Sequence, residues 1–164
     1  MGMVLLFGLL VAITIGFFAL QIWGRTAPPP ELGTEGGVLR PCPESPNCVE
    51  TRNGADEAHG MEPLALSSGR REDDRAEAEA ALDRVAAIID ELPRARVTDR
   101  RGPYLAAEVR SRIFGFRDDV EFLVDEDAGV IHFRSASRLG YSDMGANRAR
   151  MGEITRRWVT DSGN

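Results

Sequence analysis

Arg96-Val-Thr-Asp-Arg100, Tyr104-Leu-Ala-Ala-Glu-Val-Arg-Ser-Arg-Ile113, Val120-Glu-Phe-Leu-Val-Asp125 and Val130-Ile-His-Phe-Arg-Ser135 follow one another with only short connections between them. The runs are short, contain β-branched and aromatic residues, and alternate apolar with polar positions, the pattern of half-buried strands. Arg101-Gly-Pro103 and Glu126-Asp-Ala-Gly129 supply turn residues. Because side chains alternate across a strand, Leu105, Ala107, Val109, Val120, Phe122, Val124, Ile131 and Phe133 fall on one buried face. The other face then carries Glu108, Arg110, Glu121, His132 and Arg134, read as cross-strand charge pairs on a solvated surface.

Helical periods flank these strands. Asp74-Arg-Ala-Glu77 has the form of a capping box, and Ala78, Leu82, Val85, Ile89 and Leu92 recur at spacings of four and three until Pro93 ends the pattern. A second helix covers roughly Asn147 to Val159, with Met151, Ile154 and Trp158 in one stripe. Consecutive strands between two helices predict an α+β domain of two layers, a four-stranded antiparallel sheet with both helices on one face.

Upstream, no charged residue occurs from Met1 to Gly24. Met3 to Trp23 is apolar for about twenty residues, or ~30 Å as a helix, the thickness of a bilayer core. A cleaved signal would show a basic start, a shorter apolar run and a small-residue cleavage site, whereas Ala27 is followed by Pro28-Pro29-Pro30 and Trp23 stands where an interfacial aromatic is expected. The segment therefore reads as an uncleaved transmembrane helix, a buried soluble helix being the alternative. The expected division is an anchor at 1–24, a Pro/Gly-rich linker at 25–40 and a domain at 41–160. Arg25 alone would place that domain weakly in the cytoplasm. Cys42 and Cys48, the only cysteines, pull the other way, since a disulfide across their short loop needs an oxidising compartment. With only His59 and His132 to add, a structural zinc site lacks ligands. A single-pass protein with an extracytoplasmic domain is the expectation.

The 164 residues carry a net charge of −6, and all the basic residues are arginine. An acidic balance argues against general attraction to nucleic acid. Charge is nevertheless uneven, acidic over Glu72 to Glu91 and arginine-rich over Arg134 to Arg157. The densest polar segment is Arg134-Ser-Ala-Ser-Arg-Leu-Gly-Tyr-Ser-Asp-Met-Gly-Ala-Asn-Arg-Ala-Arg150. Arg148 and Arg150 fall in a helix's first turn, where the macrodipole disfavours cations by about 0.3 to 1 kcal/mol unless something negative is near. We therefore expect Arg138, Asn147, Arg148 and Arg150 to converge with Asp118, Asp119 and Asp143. The cluster is either a buried Arg/Asp network or a site for a small anionic ligand or protein partner, with Arg112, Glu121, Arg134, Ser135, Ser137 and Ser142 completing the candidate set.

A catalytic alternative is a hydrolase using Asp118, Asp119, Asp143 and Ser142, although Gly140-Tyr-Ser-Asp-Met-Gly145 misses the nucleophile-elbow spacing by one residue. Asp118, Asp119, Glu121 and Asp143 also offer oxygen ligands for a hard cation, which so many arginines would rather neutralise. No phosphate loop, dinucleotide fingerprint or zincin helix is present, and no cofactor is expected.

From Pro41 to Trp158 the sequence resembles the domain of unknown function 1499 family, uncharacterised proteins of bacteria and photosynthetic organisms. The likeness rests on Cys42-Pro-Glu-Ser-Pro-Asn-Cys48-Val49, on Tyr104 with Glu108, Arg110 and Ser111, on Phe116-Arg-Asp118-Asp119-Val-Glu121, and on the Arg134 to Arg150 segment. It implies a bacterial cell membrane, marks these polar residues as family features and assigns no activity. The chain departs from the pattern at Gly152, where the family has an acidic residue.

Overall fold

The computed structural model describes residues 2–66 and 74–162. Its elements are α1 (Gly2–Thr26), β1 (Thr34–Glu35), β2 (Val38–Leu39), β3 (Cys48–Glu50), β4 (Leu64–Ala65), α2 (Asp74–Asp90), β5 (Ala95–Arg101), β6 (Tyr104–Arg110), β7 (Arg117–Asp125), β8 (Val130–Ser137) and α3 (Ala146–Ser162). The four expected strands pair as an antiparallel meander, but the sheet has six strands, in the order β3-β8-β7-β6-β5 with β4 also on β8. Both additions lie antiparallel along the free edge of β8, β3 opposite Arg134 to Ala136 and β4 opposite Val130 and Ile131. The class is α+β with a larger sheet than expected. The capping role expected of the Asp74 side chain lies outside the described residues.

The alternation in β6, β7 and β8 builds the main core. Leu105, Ala107, Val109, Val120, Phe122, Val124, Ile131 and Phe133 meet Ala78, Leu82, Val85 and Ile89 of α2 and Met151, Ile154 and Trp158 of α3 in one buried cluster. Each such large side chain contributes about 1.5 to 3 kcal/mol on leaving water.

The opposite face of the sheet is not the solvated surface expected of it. Glu108, Glu121 and Arg134 are all buried. The covering layer is the stretch read as a linker: β1 and β2 form a hairpin, and Leu39 packs with Tyr104, Ala106 and Leu123 in a second, smaller cluster. The stretch is pinned through its backbone. Gly33 N–H donates to Glu121 at 2.6 Å, Cys42 N–H to Glu50 at 3.2 Å, and Arg138 donates to the Ala27 carbonyl at 3.3 Å. A disulfide joins Cys42 to Cys48 at a separation of 6 residues, tying the end of this cover to β3. Closing so short a loop contributes about 2 kcal/mol.

Among the described residues one helix, Leu5–Gly24 within α1, is long and apolar enough to cross a membrane, with a mean hydropathy of 2.4. Its C-terminal half meets the loop between β6 and β7. The Phe17 and Phe114 rings lie 5.7 Å apart, and Phe114 stacks on Phe116 at 5.4 Å. Gly24 sits beneath the Phe116 ring, where an added Cβ would come within 2.4 Å of it.

Candidate functional site

Asp118 and Asp119 are neighbours in β7, so their side chains leave opposite faces of the sheet. That alternation divides the expected cluster in two. On the helix-facing side, Arg150 of α3 pairs with Asp118 and also donates to Asn147 Oδ1 at 2.6 Å and Ser135 Oγ at 3.1 Å. Asn147, fully buried, is the hub: Ser135 Oγ donates to its Oδ1 at 2.6 Å, and its Nδ2 donates to the Asn47 carbonyl at 2.9 Å and Ser137 Oγ at 3.1 Å. The first turn of α3 is thereby fastened to β7, β8 and the residue preceding β3.

On the covered side, Arg138 holds Asp119 through two bonds, Nε at 2.8 Å and Nη2 at 2.7 Å, and reaches Glu108 at 3.0 Å. Glu108 also takes Arg110 at 2.9 Å, Arg96 at 3.3 Å and Arg117 at 3.4 Å. Burial pushes the Glu108 carboxyl up, but the Arg110 hydrogen bond and the charges of Arg117 and Arg138 outweigh it and leave the group below its ordinary value. The bonds from Asp119 raise Arg138. Further along, Glu121 accepts from Arg134 at 2.9 Å and from the Tyr104 hydroxyl at 2.8 Å. Burial, then that carboxylate, raise the Tyr104 phenol well above its usual range.

The remaining candidates lie elsewhere. Asp143 caps α3, accepting from Asn147 N at 2.7 Å and Gly145 N at 2.9 Å, and Ser142 Oγ accepts from Met144 N at 3.2 Å. Among the described residues Arg148 meets no acid; it donates to the carbonyls of Ala58 at 2.8 Å and Gly60 at 3.1 Å. Its first-turn position is thus relieved by backbone dipoles rather than by Asp118, Asp119 or Asp143. Arg112 is exposed on the β6–β7 loop, and no bond joins it to either network among the described residues. Asp118, Asp119, Glu121 and Asp143 do not form a metal-ligand set; among the described residues no group of three or more His, Cys, Asp or Glu does. A cavity of about 230 Å³ does gather Asp118, Ser137, Ser142 and Asp143, closed on one side by Leu20 and Trp23 of α1.

A larger cavity of about 560 Å³ lies where the β1–β2 hairpin, the residues after β3 and the β7–β8 turn meet. Val38, Leu39, Leu123 and Pro103 supply apolar wall, and Glu50, Thr51, Arg52, Asn53, Asp125, Glu126, Asp127 and His132 supply polar groups. His132 is oriented by Thr51, with Nδ1 at 3.1 Å from the hydroxyl, and its Nε2 stands 3.7 Å from Asp125. Of these, the sequence reading named Glu126 and Asp127 as turn residues and His132, opposite Leu123 in the sheet, as an outward-facing residue. The lining comes from several separated stretches, and the turns Thr51-Arg-Asn-Gly54 and Glu126-Asp-Ala-Gly129 are its local signals.

A family model described as Protein of unknown function (DUF1499) matches residues 38–157. No curated protein and no solved structure matches the chain.

Proposed function

The chain belongs to the DUF1499 family, and from that premise we propose that it is a membrane-tethered, non-catalytic binding domain whose small ligand occupies the cavity beside His132. In this reading residues 1–24 are the anchor, 41–160 the domain, and 25–40 both connect them and roof the sheet. The tether is supported by the apolar Leu5–Gly24 segment and by the packing of Phe17 and Gly24 against the domain, contacts a discarded leader would not need. The Cys42–Cys48 bond supports an extracytoplasmic position.

The observation that carries the binding reading is an open, polar-lined cavity of about 560 Å³ that shares no residue with the Asp118, Asp119 and Glu121 networks, its own pair being Arg52 and Glu50 at 3.3 Å. An anionic ligand on the arginine-rich stretch would have to displace Asp118 from Arg150, Asp119 from Arg138 or Glu121 from Arg134. The cavity instead places Glu50, Asp125, Glu126 and Asp127 around Arg52 and His132, which favours a cationic or hydroxyl-rich neutral ligand. Among the described residues Ser142 has no base among its bonding partners, and each acid of the hydrolase alternative is engaged by a partner of its own.

Thermal unfolding of the full-length protein in detergent, with polyamines and saccharides set against phosphate and dicarboxylates, tests this. The first group should raise Tm, because a ligand stabilises the state that binds it, and Val38→Trp on the cavity wall should abolish the rise. Stabilisation by phosphate that vanishes in Arg148→Ala would overturn the reading in favour of anion recognition at the start of α3.

A further inference from the structure

We infer that the β6–β7 loop (residues 111–116) and the loop before α3 (residues 140–145) form a bilayer-docking surface, seated at the boundary of headgroups and acyl chains beside α1. The inference rests on the tether proposed above and concerns how the domain sits on the membrane. Depth is the first observation. Phe114 touches Phe17, which lies inside the apolar Leu5–Gly24 segment. Gly24 lies seven positions after Phe17, or ~10 Å of helix rise, so an α1 that spans a bilayer carries Phe114 below the headgroups.

Composition agrees with that depth. Ile113 is 64% exposed, Tyr141 77% and Met144 99%. Met144 also holds a left-handed backbone, φ 55°, so a bulky apolar side chain is presented at a position that favours glycine or asparagine. In water these side chains gain nothing from exposure, whereas tyrosine, isoleucine and methionine at an interface are stabilised by the acyl region. The two loops are adjacent, since Ser111 and Phe116 of one and Gly140, Ser142 and Asp143 of the other line the same 230 Å³ cavity with Leu20 and Trp23. Arg112, exposed beside Ile113, has the long stem that lets a guanidinium reach lipid phosphate while its neighbours are buried. Gly24 is what admits the loop to the helix, because any side chain there would collide with Phe116.

The test uses Ile113→Cys, Met144→Cys and, as a distant control on the β7–β8 turn, Asp127→Cys. Each full-length variant is labelled with an environment-sensitive fluorophore, the native cysteines being closed as a disulfide, and reconstituted into phosphatidylcholine vesicles with or without shallow doxyl-labelled lipid. Labels at 113 and 144 should emit to the blue and be quenched about two-fold or more over the label at 127. Vesicles that float with the protein while 113 and 144 remain as wet as 127 overturn the docking surface and leave the tether intact. Blue emission without lipid quenching would mean a protein covers the loops, which also overturns it. Failure of the protein to float with vesicles would overturn tether and surface together.

Discussion

Arg138 and Arg148 lie ten residues apart in one arginine-rich stretch and do opposite things. The Arg138 side chain is 6% exposed and neutralises Asp119, itself 1% exposed, as well as Glu108. Arg138→Ala strands Asp119 as a buried, unpaired carboxylate and should cost about 3 to 5 kcal/mol in urea denaturation. Glu108 keeps Arg96, Arg110 and Arg117, so Asp119 dominates that loss. Arg148 is exposed and, among the described residues, bonds only carbonyls, so Arg148→Ala should cost less than about 1 kcal/mol. Equal losses would show that burial does not distinguish them. Charge alone led to the expectation that acids and arginines of these segments meet, either as a network or around an anion. Which acid meets which arginine was not, because the strand parity that separates Asp118 from Asp119 acts only once β7 has taken its place in the sheet.

At the scale of elements, long periodic segments were legible and short ones were not. The stripes of α2 and α3 and the alternation in β6, β7 and β8 each repeat several times, so their faces could be read from spacing. β3 and β4 have 3 and 2 residues and offer no period to detect. The roof over the outer face escaped notice for a different reason. It is held by the Gly33 and Cys42 N–H groups and the Ala27 carbonyl, and backbone contacts leave no side-chain signature in a Pro/Gly-rich stretch. Within α3, Gly152 can be judged directly. An added Cβ there meets nothing nearer than the Arg156 guanidinium at 3.8 Å, an ordinary contact. Gly152→Ala should therefore stabilise the protein by about 0.5 to 1 kcal/mol, the helix propensity difference, seen as a Tm rise of the full-length protein. A fall would show that the helix packs more closely at that point than the surroundings of Gly152 allow.

For the whole molecule, the apolar N-terminus and the charged remainder combine into a protein with one end suited to lipid and the other bearing the net charge of −6. The apolar segment was the most legible feature, since length and hydropathy define it without reference to the rest of the fold. The His132 cavity was the least legible, because its walls come from the hairpin, the residues after β3 and the β7–β8 turn, which meet only in the folded chain. The binding domain we propose depends on remaining attached to its helix, with Phe17 and Gly24 seated against the β6–β7 loop. Alkaline carbonate extraction of membranes containing the expressed chain, followed by intact-mass analysis of pellet and supernatant, tests that attachment most directly. The account predicts a pelleted species at the full 18.0 kDa; a soluble species, whether full-length or shortened by removal of the apolar segment, would contradict it.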